Sequence, residues 1–99
     1  MRMLTCEDFA PLVGHEFRLG GAADARTLRL RQANLHAPAS KDPRARVGGS
    51  FALYFEGASE ERFQQGMFSV EHASLGVFDI FLVPVGESDG RTTYEAVFN

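Results

Sequence analysis

A chain of 99 residues holds one hydrophobic core, because domains typically run about 100–150 residues and a second core would leave neither half enough surface to bury. With 44% hydrophobic residues, 23% charged residues and a formal net charge of −3, the composition excludes a disordered chain and lacks the basic excess of a general nucleic-acid binder. One cysteine, Cys6, excludes an internal disulfide framework and fits a reducing compartment. The opening Met1-Arg2-Met3-Leu4-Thr5 has no long apolar stretch behind its one basic residue, so it does not read as a signal peptide. No uninterrupted apolar run approaches the roughly 18–20 residues of a membrane helix. The expectation is a soluble, cytoplasmic protein of one domain spanning 1–99, with no membrane partner.

In chain order, a short helix is predicted over 5–13. Thr5 is its N-cap, and Asp8 follows three residues later, close to a capping box. Glu7 and Asp8 suit the positive end of the helix dipole. Phe9, Leu12 and Val13 share an apolar face, Pro11 is tolerated early in a helix, and Gly14 stops it. Cys6 reads as an inert small residue. A helix N-terminus can lower a thiol pKa, but no His/Asn pattern supports a nucleophile.

The remainder reads as about six strands from 15 to 98. His15 to Leu19 alternates, with Phe17 and Leu19 on one face, and Gly20-Gly21 turns the chain. Arg26 to Leu35 follows, with Leu28 and Leu30 on one face. Leu35 breaks the parity, which predicts a bulge near Gln32-Ala33. His36 to Gly49, with two prolines and little hydrophobicity, reads as an irregular, mobile loop. Ser50 to Gly57 carries Phe51, Leu53 and Phe55 inward. Ala58 to Gln65 is a polar loop with room for a helical turn, and Gly66 to His72 is a strand with Phe68 and Val70. Residues 72–76 form a hairpin connection, Val77 to Val85 is the next strand, Gly86 to Gly90 a turn with an Asp-Gly signal, and Thr92 to Phe98 the last strand.

Strands joined by turns, without long helices between them, exclude a parallel βαβ layout. The fold class is all-β and mainly antiparallel: a small six-stranded barrel or sandwich, with the N-terminal helix capping one open end. The strand from Val77 to Val85 departs from half-burial. Phe78, Ile80 and Leu82 lie on one face, Val77, Phe81, Val83 and Val85 on the other, and Asp79 is its one charge. A surface strand alternates apolar with polar. Either the helix or a loop covers the second face, or Phe81, Val83 and Val85 form an oligomer or partner interface.

Few residues point to chemistry. His15, His36 and His72 show no metal-ligand spacing, and Glu71 and His72, being adjacent, face opposite sides of a strand. No metal and no cofactor is expected. Gly20-Gly21 and Gly48-Gly49 are turn doublets without a phosphate-loop pattern, and no G-x-S-x-G elbow is present. Asp79 stands out only because its strand is otherwise apolar. It reads as an outward residue or one half of a structural ion pair. Arg29 and Arg31 on one strand, with Arg44 and Arg46 in the following loop, form a candidate anion or partner patch; their ordinary role is to keep a sheet edge soluble. Of the nine Phe residues, those at inward strand positions fill a barrel core. Tyr54 is the one aromatic placed to stack on a base beside basic residues, and it makes a poor platform.

Several stretches resemble a family of small bacterial proteins of unknown function. They are Leu4-Thr5 with Glu7-Asp8-Phe9-Ala10-Pro11-Leu12-Val13-Gly14, the Phe51, Leu53, Phe55 strand, Glu71-His72 with Leu75-Gly76, and the close from Phe81 to Gly86 and Tyr94 to Asn99. The similarity spans most of the chain outside Lys41 to Gly48. It implies an accessory role beside phage-tail-collar-like proteins, by genomic association alone, and allows Met3 as the initiator. It carries no catalytic residues.

The leading expectation is a non-enzymatic interaction or assembly protein that binds a protein partner or itself. The alternative is a small-ligand-binding β barrel with a Phe-lined cavity, which needs a void of several hundred Å³, roughly the usual pocket size. An enzyme would require residues such as His72 and Asp79 to converge in one cleft.

Overall fold

Six antiparallel strands close into a ring in the order β1-β2-β3-β6-β5-β4. The computed structural model describes residues 4–20, 26–37 and 49–98. The strands are β1 (Glu16–Leu19), β2 (Arg26–Ala37), β3 (Ser50–Ala58), β4 (Gly66–His72), β5 (Gly76–Ser88) and β6 (Arg91–Phe98). A short helix α1 (Cys6–Phe9) precedes them. The fold class expected from alternation is the one observed, as a ring rather than a sandwich. It is not a regular barrel. Along β3 and β6 the register runs from Phe51↔Phe98 to Ala58↔Arg91, whereas the closing seam pairs Arg18 with Glu71 and Leu19 with Val70. Most of the polar loop expected over 36–49, with Lys41, Arg44 and Arg46, lies outside the described residues, as do Met1 and Met3.

Period-two patterning decides which face turns inward. Phe51, Leu53 and Phe55 on β3 are fully buried, with Leu28 and Leu30 of β2, Phe17 and Leu19 of β1, Ile80 and Leu82 of β5, and Tyr94 and Ala96 of β6. In β2, Leu30 pairs with Phe55 and Gln32 with Tyr54, so the extra residue is Arg31, one place before the expected bulge. The bulge restores parity: Leu35 comes level with Phe51. Leu35 still stays 53% exposed, because it lies at the ring's rim.

Strand β5 runs to Ser88, past the expected turn at Gly86. The reversal needs only Asp89 and Gly90, whose φ values of 54° and 76° match the type I′ turn that Asp-Gly favours. A second irregularity sits between Pro84 and Gly86, next to the proline that cannot donate to the ladder.

Both ends of the ring are plugged. At the end marked by Phe51 and Phe98, Phe9 of α1 inserts among Phe17, Phe51, Phe78 and Phe98, with ring centroids 5.7–6.4 Å away. At the other end a 3-10 turn (Ser59–Glu61) leads to Phe63, which stacks on Tyr94 at 4.2 Å and contacts Phe68 at 4.5 Å. The Asp8 carboxylate accepts the Thr5 backbone N–H at 2.8 Å, as the capping reading predicts.

The helix is shorter than the expected 5–13. After Phe9 it tightens into a 3-10 turn, Ala10–Leu12, that contains Pro11. Phe9 and Leu12 keep one buried face. Val13 is already extended, with ψ 129°, and is 45% exposed, so its expected place on the apolar face is corrected. The 3-10 turn ends one residue too soon to carry it inward.

Candidate functional site

The second apolar face of β5 is uncovered among the described residues. Phe78, Ile80 and Leu82 point into the ring, while outward Phe81 is 46%, Val77 62% and Val85 51% exposed. Val83 is half-buried. The first of the two readings has the helix or a loop as cover; α1 does not cover the face, because it plugs the ring's end and not its outside, and most of the 36–49 loop lies outside the described residues. The pairing extends the strip across the sheet. Met67 of β4, itself exposed, stands opposite Phe81, and Val97 follows Glu95 on the outward face of β6. Carboxylates edge the strip: Asp79 is outward opposite Ser69, Glu71 is opposite Val77, and Glu95 opposite Val83. Glu95 Oε2 accepts the Tyr54 hydroxyl at 2.7 Å. That bond to the carboxylate, then desolvation, then the negative charge itself raise the Tyr54 pKa above its ordinary value.

The arginines are engaged on opposite sides of β2. Arg29 donates to the Gly14 carbonyl at 2.9 Å and lies 3.7 Å from Glu16, toward β1. Arg31 lies 3.9 Å from Glu56, toward β3, and Arg91 approaches the same carboxylate at 3.6 Å. Such exposed pairs are worth little in stability. Arg44 and Arg46 fall outside the described residues.

Sequence spacing did not reveal one cluster. His15 and His72, far apart in the chain, meet with Nδ1 of His15 3.2 Å from Nε2 of His72. They lie at the open side of the β1–β4 seam, where Glu16, Phe17, Arg18, Thr27, Glu71, His72 and Ala73 line a groove of about 390 Å³. His72 is 7% exposed. Its Nδ1 accepts the Ser74 backbone N–H at 3.0 Å. An acceptor nitrogen carries no proton, so neutral His72 bears its proton on Nε2 and donates to His15 Nδ1. Desolvation, then the positive potential of His15, lower the His72 pKa. A metal on His72 Nε2 would need a proton on Nδ1, which would then face the Ser74 N–H. Among the described residues no group of three or more His, Cys, Asp and Glu side chains could hold a metal ion. His72 is buried on the inward face of β4 and Asp79 is exposed on the outward face of β5, so the two do not share a cleft.

Cys6 is half-buried and unpaired as a disulfide. Burial, then the charge of Glu7, raise its pKa, the opposite of an activated thiol. No helix among the described residues is long and apolar enough to cross a membrane.

A six-stranded antiparallel ring with a helical plug and an uncovered apolar strand describes the class of domain. The family model for a domain of unknown function, DUF6916, matches residues 4–98, and the chain belongs to that family. No curated protein and no solved structure matches it.

Proposed function

We propose that the protein is a non-enzymatic interaction module whose β4–β5–β6 outer face docks a protein partner. One observation carries this reading: Met67, Phe81, Val85 and Val97 are each about half exposed or more on one side of the sheet. Contiguous apolar surface of this kind is costly to leave in water and marks interaction sites. The edging carboxylates Glu71, Asp79 and Glu95 favour a partner with an apolar centre and a basic rim. An accessory role in a phage-tail-like assembly is the finer form of this reading, motivated by the family resemblance alone. The ligand-cavity alternative draws no support from the ring interior, where the Phe side chains pack on one another.

The test is Phe81→Glu. Sedimentation velocity of wild type and variant across a wide concentration range reads self-association, and capture from cells of the source reads a foreign partner. The expected result is loss of association or capture with an unchanged melting transition. Identical sedimentation and identical capture for the two proteins would refute the reading.

A further inference from the structure

The strongest unassigned feature is the His15–His72 pair, because it spans the one seam at which the ring closes. His15 is held to β2 through its backbone: the Leu30 N–H donates to the His15 carbonyl at 3.0 Å and the Gly14 N–H to the Leu30 carbonyl at 2.7 Å. His72 ends β4 and, through Ser74, holds the turn into β5. The rest of the seam is the Arg18 and Leu19 pairing with Glu71 and Val70, plus the Gly20 N–H on the Ser69 carbonyl at 3.0 Å. We propose that His72 is an acid-released latch on the 73–75 turn, which holds the Ser74 N–H when its ring is neutral and releases it when the ring takes a proton.

The reason is tautomeric. His72 uses Nδ1 as an acceptor and Nε2 as a donor, so it already has its full set of partners. A second proton can go only to Nδ1, where it meets the Ser74 N–H head on. Both nitrogens are then donors and the turn bond is lost, while Nε2–H goes on donating to His15 Nδ1 across 3.2 Å and a charge must be held at a site only 7% exposed. The surroundings do not offset that charge. From β1, Glu16 and Arg18 face the same groove, and Glu16 is already beside Arg29. Glu71 on β4 stands opposite Arg18 in register. Thr27 of β2 is uncharged, the Phe17 ring packs on His72 at 4.6 Å, and β5 presents Gly76 opposite it. Depression of the His72 pKa by burial and by His15 agrees with this geometry.

The proton therefore frees the turn at 73–75 that joins β4 to β5. Two measurements on the whole chain test it. Nitrogen-15 NMR of the imidazoles at neutral pH should show protonated Nε2 and bare Nδ1 on both rings. Amide exchange, expressed as protection factors, should then show Ser74 losing protection as pH falls below about 6.5, the ordinary histidine value, by up to about tenfold per pH unit, while Gly20, bonded to the Ser69 carbonyl, keeps its own. His72→Asn keeps an acceptor for Ser74 and cannot titrate in this range, so its protection factors should be flat with pH. His15→Asn keeps an acceptor for Nε2 and leaves the Ser74 bond in place, so the pH response at Ser74 should persist in it. The latch is overturned if His72 carries its proton on Nδ1, if wild-type protection at Ser74 is independent of pH, or if His72→Asn loses protection as wild type does. The NMR titration of wild type decides the matter should either variant fail to fold.

Discussion

Removal of the Phe9 ring tests whether the helix is part of the core or an ornament on it. Phe9 has no exposed surface and its ring meets four others, from β1, β3, β5 and β6. Phe9→Ala removes the transfer free energy of the ring and leaves a hole whose walls are themselves phenyl groups held by strands. Such substitutions cost about 3–5 kcal/mol, against a total of roughly 5–15 kcal/mol for a native domain. At about 4–8 °C per kcal/mol for a domain of this size, the melting temperature should fall by about 12–40 °C. Thermal and urea unfolding by circular dichroism read the loss. Val13→Ala is the internal comparison. It lies four residues along and is 45% exposed, so its effect should stay within about 0.5 kcal/mol. A Phe9→Ala loss below about 1 kcal/mol, or one equal to that of Val13→Ala, would refute the plug.

Three further outcomes follow from single contacts. A Cβ added at Gly57 would sit 2.6 Å from Leu28 Cδ2, so Gly57→Ala should cost about 1–3 kcal/mol by overpacking; the cost should shrink in a Leu28→Ala background, and an equal cost in both would point elsewhere. The Tyr54 phenol should ionise above its ordinary value near 10 in a spectrophotometric titration, and Glu95→Gln should bring it down. Folding stability should fall on acidification because His72 is lowered in the folded state: the unfolded chain binds the proton first, so the contribution is full above about 6.5 and is lost toward the folded pKa, with a slope of at most about 1.4 kcal/mol per pH unit per proton. Urea unfolding of wild type and His72→Asn across pH 5–7.5 measures that difference, and equal slopes would contradict it.

The elements that the sequence displayed plainly are those fixed within a few residues. Phe51, Leu53 and Phe55 alternate, and so they face inward. Asp89-Gly90 supplies two positive φ values, and so the chain turns there. Thr5 and Asp8 stand three apart, and so they cap α1. A helix of constant pitch past Pro11 would carry Val13 inward, but the turn tightens there and leaves Val13 outside. Glycine at 86 resembles the start of a turn, but the irregularity beside Pro84 lets the ladder continue to Ser88, and the reversal is confined to Asp89 and Gly90. Closure of the ring and the meeting of His15 with His72 depend on which strand lies beside which. That is settled by packing of the whole inner face, and no spacing within one segment records it.

The outer surface separates the demands of folding from those of anything else. The ring needs apolar residues on its inner face alone, and most outward positions obey that rule: Arg18 on β1, Thr27 and Arg29 on β2, Glu56 on β3, Thr93 and Glu95 on β6. Strand β5 departs from it with Val77, Phe81 and Val85, and Met67 opposite Phe81 departs with it. These side chains add nothing to the inner core, and a long strand that is apolar on both faces is a hazard for edge pairing and aggregation. Asp79 and Pro84 interrupt the apolar run and so lessen that hazard. What is left among the described residues is an apolar face that the inner core does not use, on a strand that pairs with β4 over residues 76–82 and with β6 over residues 83–88. Phe81→Glu should therefore cost stability near zero, within about 0.5 kcal/mol, and whatever it does abolish is a property of the surface rather than of the fold.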